Sequence, residues 1–372
     1  MRDSKRKKGA HAGKNSGGVL IRTLVMLLCI AAALSVGAYA CTKAAVKPPD
    51  VVRPPKTDVQ PINSEPKGDE PDPIVVPGNR QETEEKAGEK YTFVLLGMDD
   101  GNGNSDTILT GTFDSGAHKL HMVSIPRDTL VNVTWSTKKV NTLYSHGGAD
   151  GLKSGLKDLL GYEVDFYVIV DMKAFVKLID GIGGVTFDVP VDMNYDDPAQ
   201  NLSIHFKKGV QTLSGQQSLE VVRFRKGYKT GDIGRIATQQ AFLKAAFGQI
   251  LKNAANIPIT TLADIVINDV KTDLDYGNIL WFAGELLKLN AEDVTFATMP
   301  GNYDDYVYVN GRAISYVTIK VGDWLKLINS ELNPTDNEIR EKDLDILTRD
   351  KNGTLYATSG KIKAGAGWGS KT

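Results

Sequence analysis

Residues 91–113, YTFVLLGMDDGNGNSDTILTGTF, decide how this chain reads. Tyr91–Gly97 is an apolar run that stops at a glycine, the pattern of a buried strand. Thr107–Phe113 is a second such run, and the stretch between them is built of Asp, Gly, Asn and Ser. Two strands joined by that loop bring Asp99 and Asp106 to one edge of a sheet. Turn chemistry alone accounts for Asp, Asn and Gly at such a place. Two carboxylates there also suit a hard cation, since Mg²⁺ takes one or two carboxylates and completes its shell with phosphate oxygens and water. The loop lacks the closing Glu of a calcium-binding EF-hand.

Working outward, Lys119–Ile125 (KLHMVSI) predicts a third strand, reached by a turn near Ser115-Gly116. Helices are expected at 148–160 and 171–180, and strands at 164–170 and 184–189. Val221–Arg225 reads as a strand that turns Arg223 and Arg225 to one face and Phe224 to the other. Asp232 is placed to cap a helix running from about Ile233 to Leu251. On that helix Arg235 and Gln239 share a face, while Ile236, Phe242, Leu243 and Phe247 supply apolar contacts. Helices near 258–267 and 275–289, a strand at 294–299 and a helix at 316–331 follow. Interleaved strands and helices predict one α/β or α-β-α layered domain over residues 91–333. After Asn333-Pro334 the composition turns charged and then Gly/Lys-rich, which predicts an ordered fringe and a loose tail over 334–372. There is no internal repeat.

The 372 residues carry a formal net charge of only -1, but the charge is unevenly placed. Residues 1–22 hold Arg2, Lys5, Arg6, Lys7, Lys8, Lys14 and Arg22 against Asp3 alone, and 24–41 (LVMLLCIAAALSVGAYAC) are uncharged. A basic tail (1–18) before an apolar span (19–41) predicts a membrane anchor with its N-terminus in the cytoplasm and the rest outside. Ala38-Tyr39-Ala40 has the form of a signal-peptidase site and Cys41 the place of a lipidated cysteine; either alternative also exports the domain. Both cysteines, Cys29 and Cys41, fall in this segment, so the exported part has neither a disulfide nor a thiolate metal site. Nine of the fifteen prolines lie between Pro48 and Pro77, so 42–90 reads as a solvated linker.

Three arginines, Arg223, Arg225 and Arg235, crowd into thirteen residues, and Arg127 follows the third strand in Ser124-Ile-Pro-Arg-Asp-Thr129. Guanidinium is a permanently charged planar fork, suited to phosphate, although Asp128 also offers Arg127 an ordinary ion pair. Other signals are weak. Gly181-Ile-Gly-Gly184 lacks a dinucleotide context, and the exported histidines are scattered. Tyr195-Asp-Asp-Pro198 suits a turn or the mouth of a site. Export disfavours nucleic acid as a partner of the domain.

Taken together, LeuLeuGlyMetAsp99, SerAspThr107, SerIleProArg127AspThr, Lys139-Val-Asn141, AspGlyIleGlyGlyVal185, ArgPheArg225 and Gly231AspIleGlyArg235 with Gln239 resemble the LytR-CpsA-Psr family of envelope proteins. The blocks stand in family order between Tyr91 and Asn333. The resemblance implies a single α-β-α layered domain with a central mixed sheet. It also implies a Mg²⁺-dependent (or Mn²⁺-dependent) phosphotransferase of a Gram-positive-type envelope. Such an enzyme moves an anionic glycopolymer, a teichoic acid or capsule, from a polyprenyl-pyrophosphate carrier onto an N-acetylmuramic acid hydroxyl of peptidoglycan. By the same resemblance Asp99 and Asp106 are metal-site and catalytic acids. Arg127, Arg223, Arg225, Arg235 and Gln239 hold the pyrophosphate, Arg127 and Arg225 also counting as catalytic. Asn104 and Thr238 stand where the family commonly has arginine. A pyrophosphatase acting on the same lipid, and a non-catalytic binder or regulator, are the alternatives.

Overall fold

The computed structural model describes residues 46–53, 89–98, 103–198, 202–228, 231–253, 259–365 and 368. The anchor expected at 19–41, nearly all of the linker, and Asp99 lie outside the described residues. Among the described residues no helix is long and apolar enough to cross a membrane.

The core is a six-stranded mixed sheet in the order β10-β3-β2-β1-β4-β9. Its strands are β1 (Lys90–Met98), β2 (Ser105–Asp114), β3 (Lys119–Ser124), β4 (Phe166–Val170), β9 (Lys271–Thr272) and β10 (Val294–Thr298). β1 pairs antiparallel with β2 and parallel with β4, while β10 runs parallel to β3. Strand alternation sorts β1 between two apolar layers. Val94 and Leu96 pack with Ile108, Val123, Leu152, Leu156 and Trp324, which come partly from α1 (Leu143–Leu160) and α7 (Val321–Leu327). Tyr91 and Phe93 face the other way, among Phe113, Phe247, Trp281 and Phe282 of β2, α4 (Asp232–Lys252) and α6 (Tyr276–Leu286). Helices therefore cover both faces, as the α-β-α expectation required. Trp324 Nε1 donates to Leu159 O at 2.8 Å and pins α7 to α1.

A second apolar cluster joins α2 (Met172–Gly181), α3 (Gly215–Arg223) and α4 to two ribbons. The ribbons pair β5 (Val185–Val189) with β8 (Gly209–Leu213), and β6 (Met193–Asp197) with β7 (Leu202–Phe206). Helix α5 (Ile259–Asp269) completes the helices.

Several expectations are corrected. Val221–Arg225 is not a strand: α3 continues through Arg223, and Phe224 turns to extended backbone. A capping box between Ser214 and Gln217 starts that helix, and Gly215, Ser218 and Val221 form its buried stripe. Phe224 is nonetheless buried and Arg225 exposed, so the expected opposition of those two side chains survives. The helix expected from 316 begins only at Val321, because β12 (Arg312–Ile319) pairs with β11 (Gly301–Val309) across an Asn310-Gly311 turn. Helix α1 begins at Leu143 and breaks at Gly148 (φ 61°, ψ -150°), the residue from which helix was expected. The ordered fringe expected after Asn333 continues through the described residues to Gly365, into the Gly/Lys-rich stretch expected to be loose. Ile339, Leu344 and Ile346 enter the main core, and β13 (Leu347–Arg349) with β14 (Leu355–Ala357) packs on Leu130 and Tyr316.

Candidate active site

The C-terminal ends of β1, β3, β4 and β10 meet the start of β2 at one edge of the sheet, where open α/β sheets place their ligands. Asp106 is the second residue of β2, and Arg127 follows β3 by three residues. Register brings the two together: Arg127 Nη1 donates to Asp106 Oδ1. Helix α4 passes the same edge. Gln240 Nε2 lies 2.8 Å from Ser124 Oγ, 2.8 Å from Ala297 O and 3.0 Å from Thr298 Oγ1, at the ends of β3 and β10.

Asp232 is the first residue of α4, not its cap; Gly231, at φ 57° and ψ -121°, takes the cap position, a conformation open mainly to glycine. Freed from capping, the Asp232 carboxylate sits between two arginines. Its Oδ1 lies 3.0 Å from Arg235 Nη2 and 3.4 Å from Arg225 Nε, and Oδ2 accepts from Arg235 Nη2 at 3.1 Å. Arg235 is 4% exposed, whereas half of the Arg225 side chain meets solvent. Asp128 completes the cluster: Lys139 Nζ donates to its Oδ1 at 2.8 Å, and Arg127 Nε stands 3.9 Å from its Oδ2. Asn141 N donates to Arg127 O at 3.2 Å.

Charge is tightly balanced here. Among the described residues in these ion pairs, Arg127, Lys139, Arg225 and Arg235 face Asp106, Asp128 and Asp232, four cations against three carboxylates. Burial works against the Arg127 charge, but Asp106, Asp128 and Asp232 outweigh it and hold its pKa above the ordinary value. At Arg235 burial wins: its pKa is pushed down, with Asp232 pulling it up and Arg127 and Arg225 pressing it lower. Polar capacity is left over as well. Arg127 Nε, Arg235 Nε and Asn141 Oδ1 are buried without a hydrogen-bond partner, and Asp232 Oδ1, though ion-paired, accepts no well-aligned hydrogen bond. Buried polar atoms are nearly always satisfied, so the cluster stands out as having both donors and acceptors to spare.

The expected residues thus fare differently. Asp106 pairs with Arg127, Arg225 and Arg235 meet at Asp232, and the two groups are close enough to feel each other's charge. Arg223 ends α3 two residues before Arg225 and is engaged in an interaction of its own. Gln239 Nε2 donates to Val222 O at 3.1 Å and ties α4 to α3. Asp99, the other expected acid, is outside the described residues. Asn104 accepts from Ser145 Oγ at 3.1 Å, and Thr238 Oγ1 hydrogen-bonds Tyr228 OH at 2.9 Å, so both departures from the arginine pattern are locally partnered. Sequence reasoning missed the ion-pairing of Asp232, the Asp128–Lys139 pair and Asn141. The three-residue spacing from Asp232 to Arg235 on one helix was the available signal for the first.

Comparison with known proteins bears on this geometry. The polyisoprenyl-teichoic acid–peptidoglycan teichoic acid transferase TagV of Bacillus subtilis (strain 168) is 32% identical over 206 residues, covering 52% of this chain and 52% of TagV. The cell wall biosynthesis protein LcpA of Corynebacterium glutamicum is 30% identical over 263 residues, 63% of this chain and 49% of LcpA. This chain therefore spans about half the length of either relative. The crystal structure of B. subtilis TagV aligns with a TM-score of 0.54 at 26% identity, over 64% of this chain and 94% of that one. The profile of the LytR_cpsA_psr family matches residues 62–327, more than half of the chain and all the elements that build the arginine cluster, and the chain belongs to that family.

Proposed function

We propose that this protein is a phosphotransferase that moves an anionic glycopolymer from a polyprenyl-pyrophosphate carrier to peptidoglycan. The observation that carries the reading is the pair of buried, unpartnered guanidinium Nε–H groups on Arg127 and Arg235, beside half-exposed Arg225. A pyrophosphate brings closely spaced acceptor oxygens, and forked donors answer them in pairs. Arg127, Arg223, Arg225, Arg235 and Gln239 are assigned to grip the diphosphate. The acceptor is a sugar hydroxyl, that of N-acetylmuramic acid. Its oxygen gives its proton to an aspartate carboxylate and bonds to the polymer-side phosphorus while the bond from that phosphorus to the bridging oxygen breaks, giving a phosphodiester and a lipid monophosphate. Such transfers depend on positioning and on stabilising charge, which fixed arginines supply.

Asp106 keeps 45% of its side chain exposed with one carboxylate oxygen on Arg127, so its other oxygen suits a hard cation. We assign it, with Asp99, to Mg²⁺ or Mn²⁺, which when bound neutralises charge on the leaving phosphate. A membrane anchor at 19–41 would set the domain outside the cell, where the acceptor is.

The test is a purified assay with a synthetic polyprenyl-pyrophosphate glycan, run with and without peptidoglycan. Polymer joined to peptidoglycan, with lipid monophosphate released only when acceptor is present, supports transfer. Equal release without acceptor identifies a pyrophosphatase instead. Binding without turnover identifies a non-catalytic receptor.

A further inference from the structure

We infer that Pro49–Arg53 is a latch seated in a receptor at the N-terminal ends of β1 and β4, holding the chain to the domain well before β1 begins. Arg53 grips Asp165 through both guanidinium nitrogens, Nη1 to Oδ1 at 2.6 Å and Nη2 to Oδ2 at 2.7 Å. Its Nη2 also donates to the carbonyl of Lys90, the first residue of β1. Residues 53 and 90 are therefore in contact although 36 residues separate them.

The receptor is built for a cation. The Asp165 side chain is 9% exposed, and Thr92 gives Oδ2 two further hydrogen bonds, from N and from Oγ1, both at 2.7 Å. Thr92 Oγ1 also accepts from Asp165 N at 3.0 Å, so the carboxylate is fixed from its own backbone outward. A carboxylate this buried is costly when unpaired, and Arg53 is the cation that pairs it. Apolar contacts add to the charge: Pro49 is buried and Val51 packs with the Tyr91–Phe113 layer, while Val52 points out at 95% exposure. Tight seating on alternate residues is what a specific docked segment shows.

The consequence concerns reach, and it rests on the membrane reading proposed above. A free linker over 42–90 extends to roughly 160–175 Å at 3.3–3.6 Å per residue. With the latch shut only residues 42–48 lie between the expected anchor and the domain, a span of at most about 25 Å. Asp165 and Lys90 stand at the end of β1 and β4 remote from Asp106 and Arg127, roughly 20–25 Å away along the strands. The latch thus shortens the tether and caps how far the domain can stand from an anchored N-terminus.

The latch can be tested without any activity. In the full-length chain with Cys29→Ser and Cys41→Ser, spin labels are placed at Val52→Cys and Glu163→Cys, both on exposed side chains. Double electron–electron resonance should give one narrow, short distance. Arg53→Glu should broaden it toward the distribution of a free 36-residue coil, about 33 Å between its ends. The domain's melting transition checks that it stays folded. A broad distribution in the parent, or one equally narrow in Arg53→Glu, overturns the latch and leaves the transferase reading standing.

Discussion

Replacing Asp232 by Asn removes one charge from the centre of the arginine cluster with almost no change of shape. At 3.0 Å from Arg235 Nη2, that charge is worth roughly 5 kcal/mol in surroundings of effective dielectric about 20, before desolvation is deducted. Asp232 is 31% exposed and Arg225 half-exposed, so screening and desolvation take most of it. A net loss of about 2 kcal/mol remains, carried by Arg235, which stays buried at 4% exposure with its countercharge gone. In a domain of this size that corresponds to a melting temperature lower by about 4–8 °C. The ligand-bound state should behave oppositely. Pyrophosphate brings its own negative charge to Arg225 and Arg235, so in the wild type Asp232 competes with it. Asp232→Asn should therefore bind inorganic pyrophosphate about tenfold more tightly, a gain of about 1.4 kcal/mol. Thermal melts of both proteins across a pyrophosphate titration read the two effects together. Equal melting without ligand, or no extra stabilisation of the variant by pyrophosphate, would refute the reasoning.

Three further outcomes are expected. Arg225→Ala, and likewise Arg223→Ala, should lower transfer by about 10- to 100-fold while the fold persists, since charge-assisted contacts are worth on the order of 1.5–3 kcal/mol each; Arg225→Lys should restore little, having lost the fork. Steady-state transfer with circular dichroism as the folding control checks this. Asp106→Asn should weaken both transfer and its dependence on added Mg²⁺, and chelation should stop the parent enzyme reversibly; metal titrations of activity decide. Lys138 is fully buried, bonded to the carbonyls of Val133 and Lys363. Burial, with the Lys363 charge, pushes its pKa down to about 8 from an ordinary 10.5. Between those values the unfolded chain binds the extra proton, so Lys138 makes stability rise with pH across that window. Lys138→Met should flatten that rise and be more stable than the parent at pH 7, as melts from pH 7 to 10 will tell.

Legibility in the sequence followed the strength of local pattern. β1 to β4, β10 and α2, α4 and α6 show clear periodicity or firm stops, and their positions were readable to within a few residues. The run Val221–Arg225 was ambiguous because five residues of apolar-polar alternation fit a strand or the last turn of a helix. The capping box at Ser214 and Gln217 was the deciding signal. The ribbons β6–β7 and β11–β12 are half-exposed and stabilised by contacts distant in sequence, so alternation within each strand is diluted by Asn, Asp and Tyr. The C-terminal segment looked loose by composition, yet it docks through particular bonds: Lys363 Nζ on Asp158 and Asp345, and Asn132 Nδ2 on Asp345 Oδ1. Composition does not reveal such long-range partners. At the site, residue types were legible one by one, whereas the partition of the aspartates was not. Asp106 and Asp232 are held by arginines, and only folding decides which carboxylate a guanidinium meets.

The most direct measurement is a crystal structure of the domain with a short-chain polyprenyl-pyrophosphate glycan bound. The two phosphates are expected between Arg127, Arg225 and Arg235, with acceptor oxygens on the Nε atoms of Arg127 and Arg235. A diphosphate bound elsewhere, with those two donors still unpartnered, would contradict the account.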